Sequence, residues 1–166
     1  MAVVYLDTYN NPPEILKHSS VCFGVFDGLH EGHRYEIEQA IADKCTSIAV
    51  TFDVDPDEIY NPGFKKIMTN QERIEALNKS GLDYVIVLKF NEIKNIEAIE
   101  FLNNFFGKYI PAHMHVGEGF RFGSNAIGDT KLLFDWGMKN NMKVHVHDLV
   151  KKDGRVVSST DLRKLM

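Results

Sequence analysis

The sequence predicts an α/β fold, a Rossmann-like, doubly wound, five-stranded parallel sheet with helices on both faces, and three observations carry this. Short β-branched and apolar runs alternate with segments of helical spacing along most of the chain, the rhythm of a sheet built from βαβ units. The run over 21–26 is almost continuously apolar, as expected of a strand covered on both sides. Glycine-bearing loops at 27–33, 53–63 and 117–128 all follow strands, where open parallel sheets bind their ligands.

The elements follow in order. After the strand at 21–26, the pattern changes at Arg34 to helical spacing with Ile37, Ala40, Ile41 and Cys45 on one side, which predicts a helix over 34–45. A strand at 48–52 comes next. The helix over 70–79 opens on Thr69-Asn70-Gln71-Glu72, a capping box, closes before Gly81 and presents Ile74, Ala76 and Leu77 as its apolar face. A strand at 84–88 precedes a helix over 95–107, where Ala98, Phe101, Leu102 and Phe105 repeat at helical spacing and read as core rather than as an aromatic ligand pocket. The strand at 113–116, a helix over about 129–139 and the strand at 144–147 complete the set. Pro12-Pro13 and Asn61-Pro62-Gly63 mark turns. With no internal repeat, low-complexity tract or linker, residues 1–166 are expected to form one domain.

Composition narrows the function. A chain of 166 residues, 44% hydrophobic and 11% aromatic, can bury a core of its own. Its 19 Lys and Arg stand against 23 Asp and Glu, net −4, without a basic stripe interleaved with aromatics, which argues against nucleic acid as a partner. No apolar run is long enough for a bilayer, and the opening Met-Ala-Val-Val-Tyr-Leu-Asp lacks a secretory n-region, so a cytoplasmic protein without membrane attachment is expected. Cys22 and Cys45 read as small buried hydrophobes rather than a disulfide.

The chemistry concentrates in Gly24-Val25-Phe26-Asp27-Gly28-Leu29-His30-Glu31-Gly32-His33. Gly24, Gly28 and Gly32 let the backbone approach a ligand, and a helix starting beyond them aims amide groups at an anion. In H-x-G-H the glycine allows both imidazoles to face one pocket and donate to a phosphoryl group; two ordinary loop histidines are the alternative. Zinc is the poorer reading, because His30 and His33 lack the H-E-x-x-H spacing.

Four other stretches have chemical potential. Ser158-Ser159-Thr160-Asp161-Leu162-Arg163 reads as a helix start with a serine cap, or as a grip in which Arg163 holds triphosphate oxygens and Ser159 and Thr160 offer hydroxyls and amides. Gly117-Glu118-Gly119-Phe120-Arg121-Phe122-Gly123 sets two phenylalanines around an arginine, suited to a flat ring and a phosphate, or forms an ordinary turn with one packed ring. Asp53, Asp55, Asp57 and Glu58 read as solvated acids before metal ligands. His113 with His115, and His145 with His147, each put two imidazoles on one face of neighbouring strands; packed edge histidines are favoured over a four-histidine metal site. No pattern assigns metal ligands or an oligomeric state.

Taken together, these stretches resemble bacterial FAD synthetase, a family of the H-x-G-H nucleotidyltransferases. The matching residues are G-x-F-D-G-L-H-x-G-H at 24–33, V-T-F-D at 50–53, V-G-E-x-F-R-F-G at 116–123 and V-S-S-T-D-L-R at 157–163, in the family's order and across nearly the whole chain. The first and last occur across the superfamily; the third narrows the resemblance to flavin. This chain has Val54-Asp55-Pro56 where the family has Pro-His-Pro, and Gly119 where it usually has Asp or Asn.

The resemblance implies adenylyl transfer from ATP to FMN, giving FAD and pyrophosphate, with Mg²⁺ bridging phosphate oxygens. It implies His30, His33 and Arg163 as catalytic groups, with both histidines on the α- and β-phosphates. Gly24, Phe26, Asp27, Gly28, Ser159, Thr160 and Arg163 are implied at the ATP phosphates, and Asp53, Gly117, Glu118, Phe120, Arg121 and Phe122 in a flavin and nucleotide loop. Two-domain members carry a riboflavin kinase barrel after this region, and the expectation here is the adenylyltransferase half alone. The alternatives are a nucleotidyltransferase using CTP or another phosphate acceptor, and a non-catalytic module that binds nucleotide or flavin.

Overall fold

The computed structural model of the protein describes residues 3–6, 9–29, 31–61, 63–65, 68–147, 151–152 and 155–156. Among them, six strands form one parallel sheet: β1 (Val3–Leu6), β2 (Ser20–Phe23), β3 (Ser47–Phe52), β4 (Tyr84–Leu88), β5 (His113–Gly117) and β6 (Lys143–His147), in the spatial order β1-β4-β3-β2-β5-β6. The five strands expected from the sequence are all present and parallel. The sixth, β1, whose Val3-Val4-Tyr5-Leu6 run carries a β-branched and aromatic strand signal of its own, adds itself at the edge beside β4, with Val3 opposite Tyr84. An antiparallel pair, β7 (Lys151–Lys152) and β8 (Arg155–Val156), follows.

The helices are α1 (Glu31–Ala42), α2 (Pro56–Tyr60), α3 (Asn70–Asn78), α4 (Phe90–Ile93), α5 (Ala98–Phe105) and α6 (Thr130–Asn140). Alternation along the strands assigns side chains to two cores. Val21, Phe23, Ile48, Val50, Phe52, Ile86, Leu88, Met114 and Val116 meet Phe101, Leu102 and Phe105 of α5 and Leu133 and Trp136 of α6. On the other face Cys22, Ala49, Val85 and Val87 meet Ile37 and Ala40 of α1 and Leu77 of α3. Small residues in the middle of that second face let α1 and α3 lie close to the sheet. The helix expected over 95–107 is shortened at both ends to α5, the brief α4 before it was not expected, and the four residues that defined the apolar stripe are buried as core. The capping box at α3 forms: Thr69 Oγ1 accepts from Glu72 N–H at 3.0 Å and Glu72 Oε1 accepts from Thr69 N–H at 3.0 Å.

Strand order reverses direction between β2 and β5, with β3 and β4 built outward on one side and β6 on the other. Open α/β sheets leave a crevice at such a point, and the loops after β2, β3 and β5 all emerge at its carboxyl edge.

Candidate functional site

Beyond Phe23 the chain stays in the sheet for one more bond, Gly24 N–H to the Val50 carbonyl at 3.1 Å, and then turns. Phe26, Gly28 and Leu29 have φ of +63°, +76° and +41°. For Phe26 and Leu29, which carry a Cβ, the left-handed region costs about 1–2 kcal/mol each. Burial of the Phe26 ring in the core beneath α1 and α3 holds the turn against that cost. So do two hydrogen bonds on the Val25 carbonyl, from Thr51 Oγ1 at 3.2 Å and Arg73 Nη1 at 3.0 Å. The expected strand at 21–26 therefore ends at Phe23, where this turn begins.

Helix α1 starts at Glu31 rather than at residue 34, because the first turn of a helix needs no partners for its amides and so accepts Glu31-Gly32-His33. It ends at Ala42 rather than 45, and Lys44 at φ +59° turns the chain away. Cys45 thus lies past the helix, and Ile41, expected on its buried side, is exposed. The early start brings His33 into the first helical turn, at the positive end of the dipole. Its ring stands edge-on to that of Phe26, centroids 5.4 Å apart. His30, Ser159, Thr160 and Arg163 lie outside the described residues.

On the α5 face, the loops after β2, β3 and β5 enclose a cavity of about 680 Å³, lined by Phe23, Val25, Phe52, Phe90, Phe101, Phe120 and Phe122. Its polar fringe comes from Asp55, Asp57, Lys94, Asn95, Arg121 and Asn125. Volume and lining match those of small-molecule sites, which are mostly apolar with a few directional polar groups. The rings brace one another: Phe23 meets Phe120 edge-on at 4.8 Å and stacks with Phe101 at 5.8 Å, and Phe120 stacks with Phe122 at 6.0 Å. The loop after β5 is closed by reciprocal backbone bonds, Phe122 N–H to Gly128 O at 3.1 Å and Gly128 N–H to Phe122 O at 2.8 Å. Gly123, at φ +79°, also touches α5, where a Cβ would stand 2.7 Å from that of Ala98 and 2.9 Å from its nitrogen.

Phe120, Arg121 and Phe122 are therefore gathered in one cavity, and Phe101, read from the sequence as core, serves both core and cavity wall. Asp53, Gly117 and Glu118 are not in the lining. Asp53 Oδ1 accepts from Phe90 N–H at 2.9 Å and joins the loop after β3 to the start of α4. Glu118 is exposed, with its N–H on the His147 carbonyl at 2.9 Å. Asp27 is buried behind the turn, Gly28 takes the left-handed backbone there, and Gly24 is the residue whose N–H makes the last sheet bond before it. The acids at 55–58 form a second capping box, which the sequence left as solvated acids: Asp55 Oδ1 accepts from Asp57 N–H at 3.0 Å and Glu58 Oε1 from Asp55 N–H at 3.4 Å, at the start of α2. Burial pushes the Asp55 carboxyl up to about 6, against the hydrogen bond from Asp57 that favours its ionised form.

Two residues near the crevice had no signal in the sequence. Arg73 looks like a polar residue of an amphipathic helix, yet it is 1% exposed. Burial lowers its guanidinium from the usual range, opposed by Asp55 and Asp27. Glu36, three residues after His33 on α1, is 5% exposed, and burial pushes its carboxyl up to about 8. A Cβ on Gly117, at the end of β5, would lie 2.9 Å from Glu36 Oε1, so the strand end and the carboxyl share one space.

The four strand histidines form a stack under α1. His113 Nδ1 is 2.9 Å from His145 Nε2, His115 Nδ1 is 2.8 Å from His147 Nε2, and the rings of His115 and His145 stack at 4.5 Å. Two nitrogens on one tetrahedral zinc stand roughly 3.3 Å apart, so these separations are those of hydrogen bonds. Among the described residues no group of three His, Cys, Asp or Glu side chains is placed to hold a metal. Nor is any described helix long and apolar enough to cross a membrane.

The family model for FAD synthetase matches residues 13–161. The bifunctional riboflavin kinase/FMN adenylyltransferase of Buchnera aphidicola subsp. Schizaphis graminum is 30% identical over 95% of this chain and 53% of its own length. That of Pseudomonas fluorescens is 30% identical over 86% of this chain and 48% of its own. The chain spans about half the length of these relatives. Among solved structures, a macrolide-efflux protein from Streptococcus pneumoniae superposes with a TM-score of 0.76 at 22% identity, over 99% of this chain and 57% of that one, which shows a shared fold.

Proposed function

The chain belongs to the FAD synthetase family, and from that premise we propose that it transfers the adenylyl group of ATP to FMN, releasing pyrophosphate. The observation that carries this reading is the cavity of about 680 Å³ whose walls are aromatic and whose rim holds Arg121 and Lys94, opening beside the turn that leads into α1. Aromatic walls suit the isoalloxazine ring, and a cationic rim suits the FMN phosphate.

In this reading a phosphate oxygen of FMN attacks the α-phosphorus of ATP in line. The new P–O bond forms as the bond to the bridging oxygen breaks, and the electron pair leaves with pyrophosphate. No covalent enzyme intermediate is required, so the protein's work is to position the two substrates and neutralise charge. His33 at the start of α1, with the helix dipole behind it, donates to the phosphates; His30, Ser159, Thr160 and Arg163 are assigned there by family likeness. Phe26 is assigned a supporting part, with its ring steadying His33.

Asp53, Asp55 and Glu58 each accept a backbone N–H after β3, and among the described residues no group of three His, Cys, Asp or Glu is placed to hold a metal; Mg²⁺ in this proposal goes with the ATP phosphates. A reducing cytoplasm suits Cys22 and Cys45, both free thiols. The test is turnover of FMN with ATP against CTP at equal concentration. FAD from ATP alone supports the reading, and turnover of CTP or of another phosphomonoester in place of FMN favours a different nucleotidyltransferase.

A further inference from the structure

Arg73 projects from the first turn of α3 into the carboxyl edge of the sheet and makes four contacts there. Nη1 donates to the Val25 carbonyl at 3.0 Å and to Thr51 Oγ1 at 2.8 Å; Nη2 donates to the Phe52 carbonyl at 2.6 Å and lies 3.4 Å from Asn70 Oδ1. The two carbonyls belong to different segments, the loop after β2 and the last residue of β3. Val25 is the last residue before the left-handed Phe26, where the turn toward His33 begins. Phe52 is the last residue before Asp53, where the loop carrying Asp55 and Pro56 into the aromatic cavity begins. One planar guanidinium thus ties the phosphate turn to the flavin-side loop, with donors in a fixed fork that an ammonium cannot reproduce. Thr51 closes the same triangle by donating from Oγ1 to the Val25 carbonyl at 3.2 Å.

We propose that Arg73 is a positioning residue for adenylyl transfer, setting the separation between the FMN phosphate and the α-phosphorus of ATP through the carbonyls of Val25 and Phe52. This rests on the FMN adenylyltransferase reading. Arg73 touches neither substrate. Its side chain lies behind both loops, so losing the fork leaves each binding surface in place and relaxes their mutual spacing. In-line attack depends steeply on that spacing, and a displacement near 1 Å costs on the order of 10²-fold in rate. An interaction felt only in the transition state lowers kcat and leaves substrate affinity nearly unchanged.

The test uses the whole chain as wild type, Arg73→Lys and Thr51→Val. FAD formation gives kcat, quenching of flavin fluorescence gives the FMN Kd and the fraction of binding-competent protein, calorimetry gives the ATP Kd, and amide exchange reports on the two loops. Arg73→Lys should keep both Kd values within about threefold, lower kcat by about 10–100-fold per binding-competent molecule, and speed exchange at 26–29 and 53–55 together while β4 and β5 stay protected. Thr51→Val should move kcat the same way by a smaller factor, and it carries the test if Arg73→Lys does not fold. Unchanged kcat in a folded variant, a fall in kcat explained by lost binding sites, or loosening of only one loop would overturn the assignment. A wild type that makes no FAD refutes the adenylyl-transfer reading and the catalytic consequence drawn from it, while coupled exchange of the two loops separately decides whether Arg73 ties them.

Discussion

His115 Nδ1 lies 2.8 Å from His147 Nε2, and the proton between them is assigned by a third residue. His115 Nε2 sits 2.7 Å from Asp43 Oδ2. Burial favours the neutral form of Asp43, but hydrogen bonds from His115 and Ser20 outweigh it and hold the carboxyl below its usual value. Facing a carboxylate, His115 carries its hydrogen on Nε2; its Nδ1 then accepts, and His147 Nε2–H donates.

The first prediction follows from that chain. Burial drives His115 down from 6.5 to about 4, against the pull of Asp43. A base with a depressed folded pKa contributes stability that is fully present above the unfolded value and is lost as pH falls from 6.5 through 4, on the order of 3 kcal/mol for this group. Urea unfolding across that range should show wild type losing stability faster than His115→Asn. Parallel curves would remove His115 as the source.

Glu36 titrates in the opposite sense. Its folded pKa of about 8 lies above the ordinary 4.5 of a glutamate, so the fold binds the proton more tightly and stability declines as pH rises between those values. Glu36→Gln should exceed wild type in unfolding free energy by a margin that widens from pH 5 to pH 8 and reaches about 1–3 kcal/mol, read by urea unfolding. A margin independent of pH contradicts the assignment.

How far the sequence reached is clearest where these residues lie. The parallel order and the capping box at Thr69 and Glu72 were legible because each is written in local periodicity or spacing, whereas Phe120, Arg121 and Phe122 were singled out as a ligand loop by family resemblance. Arg73 and Glu36 were not, since in a linear pattern a buried charge on a helix is indistinguishable from a solvated one. The α1 start was misplaced because the apolar spacing begins only beyond Gly32, although Glu31 is itself a favoured first-turn residue. The acids at 55–58 did carry a signal that the solvated-acid reading passed over: Asp55 three residues before Glu58, with Pro56 between them, is a capping box with proline at the first helical position. Phe101 was read as core alone; the cavity it borders is formed by loops far away in sequence.

Gly123 offers a test of the loop after β5. At φ +79°, with Ala98 2.7 Å from an added Cβ, Gly123→Ala should lower stability by about 1–3 kcal/mol and raise KM for FMN more than it lowers kcat. A variant with wild-type melting temperature and KM would show that the loop is not held by its contact with α5.

Arg121 tests the cationic rim. Arg121→Ala should weaken FMN binding about tenfold, the loss of one charge-assisted contact, and should leave riboflavin binding, measured by fluorescence quenching, within about twofold. Equal losses for both flavins would mean that Arg121 meets the ring and not the phosphate.

We place the proposed adenylyl transfer at the start of α1. The most direct measurement is chromatographic separation of FMN from FAD after incubation of the purified chain with FMN, ATP and Mg²⁺, beside His33→Ala. FAD formed by wild type and slowed about 10²–10³-fold in the variant is the predicted result. FAD formed equally by both would contradict the assigned site, and none formed by a wild type that binds both FMN and ATP would contradict the reaction.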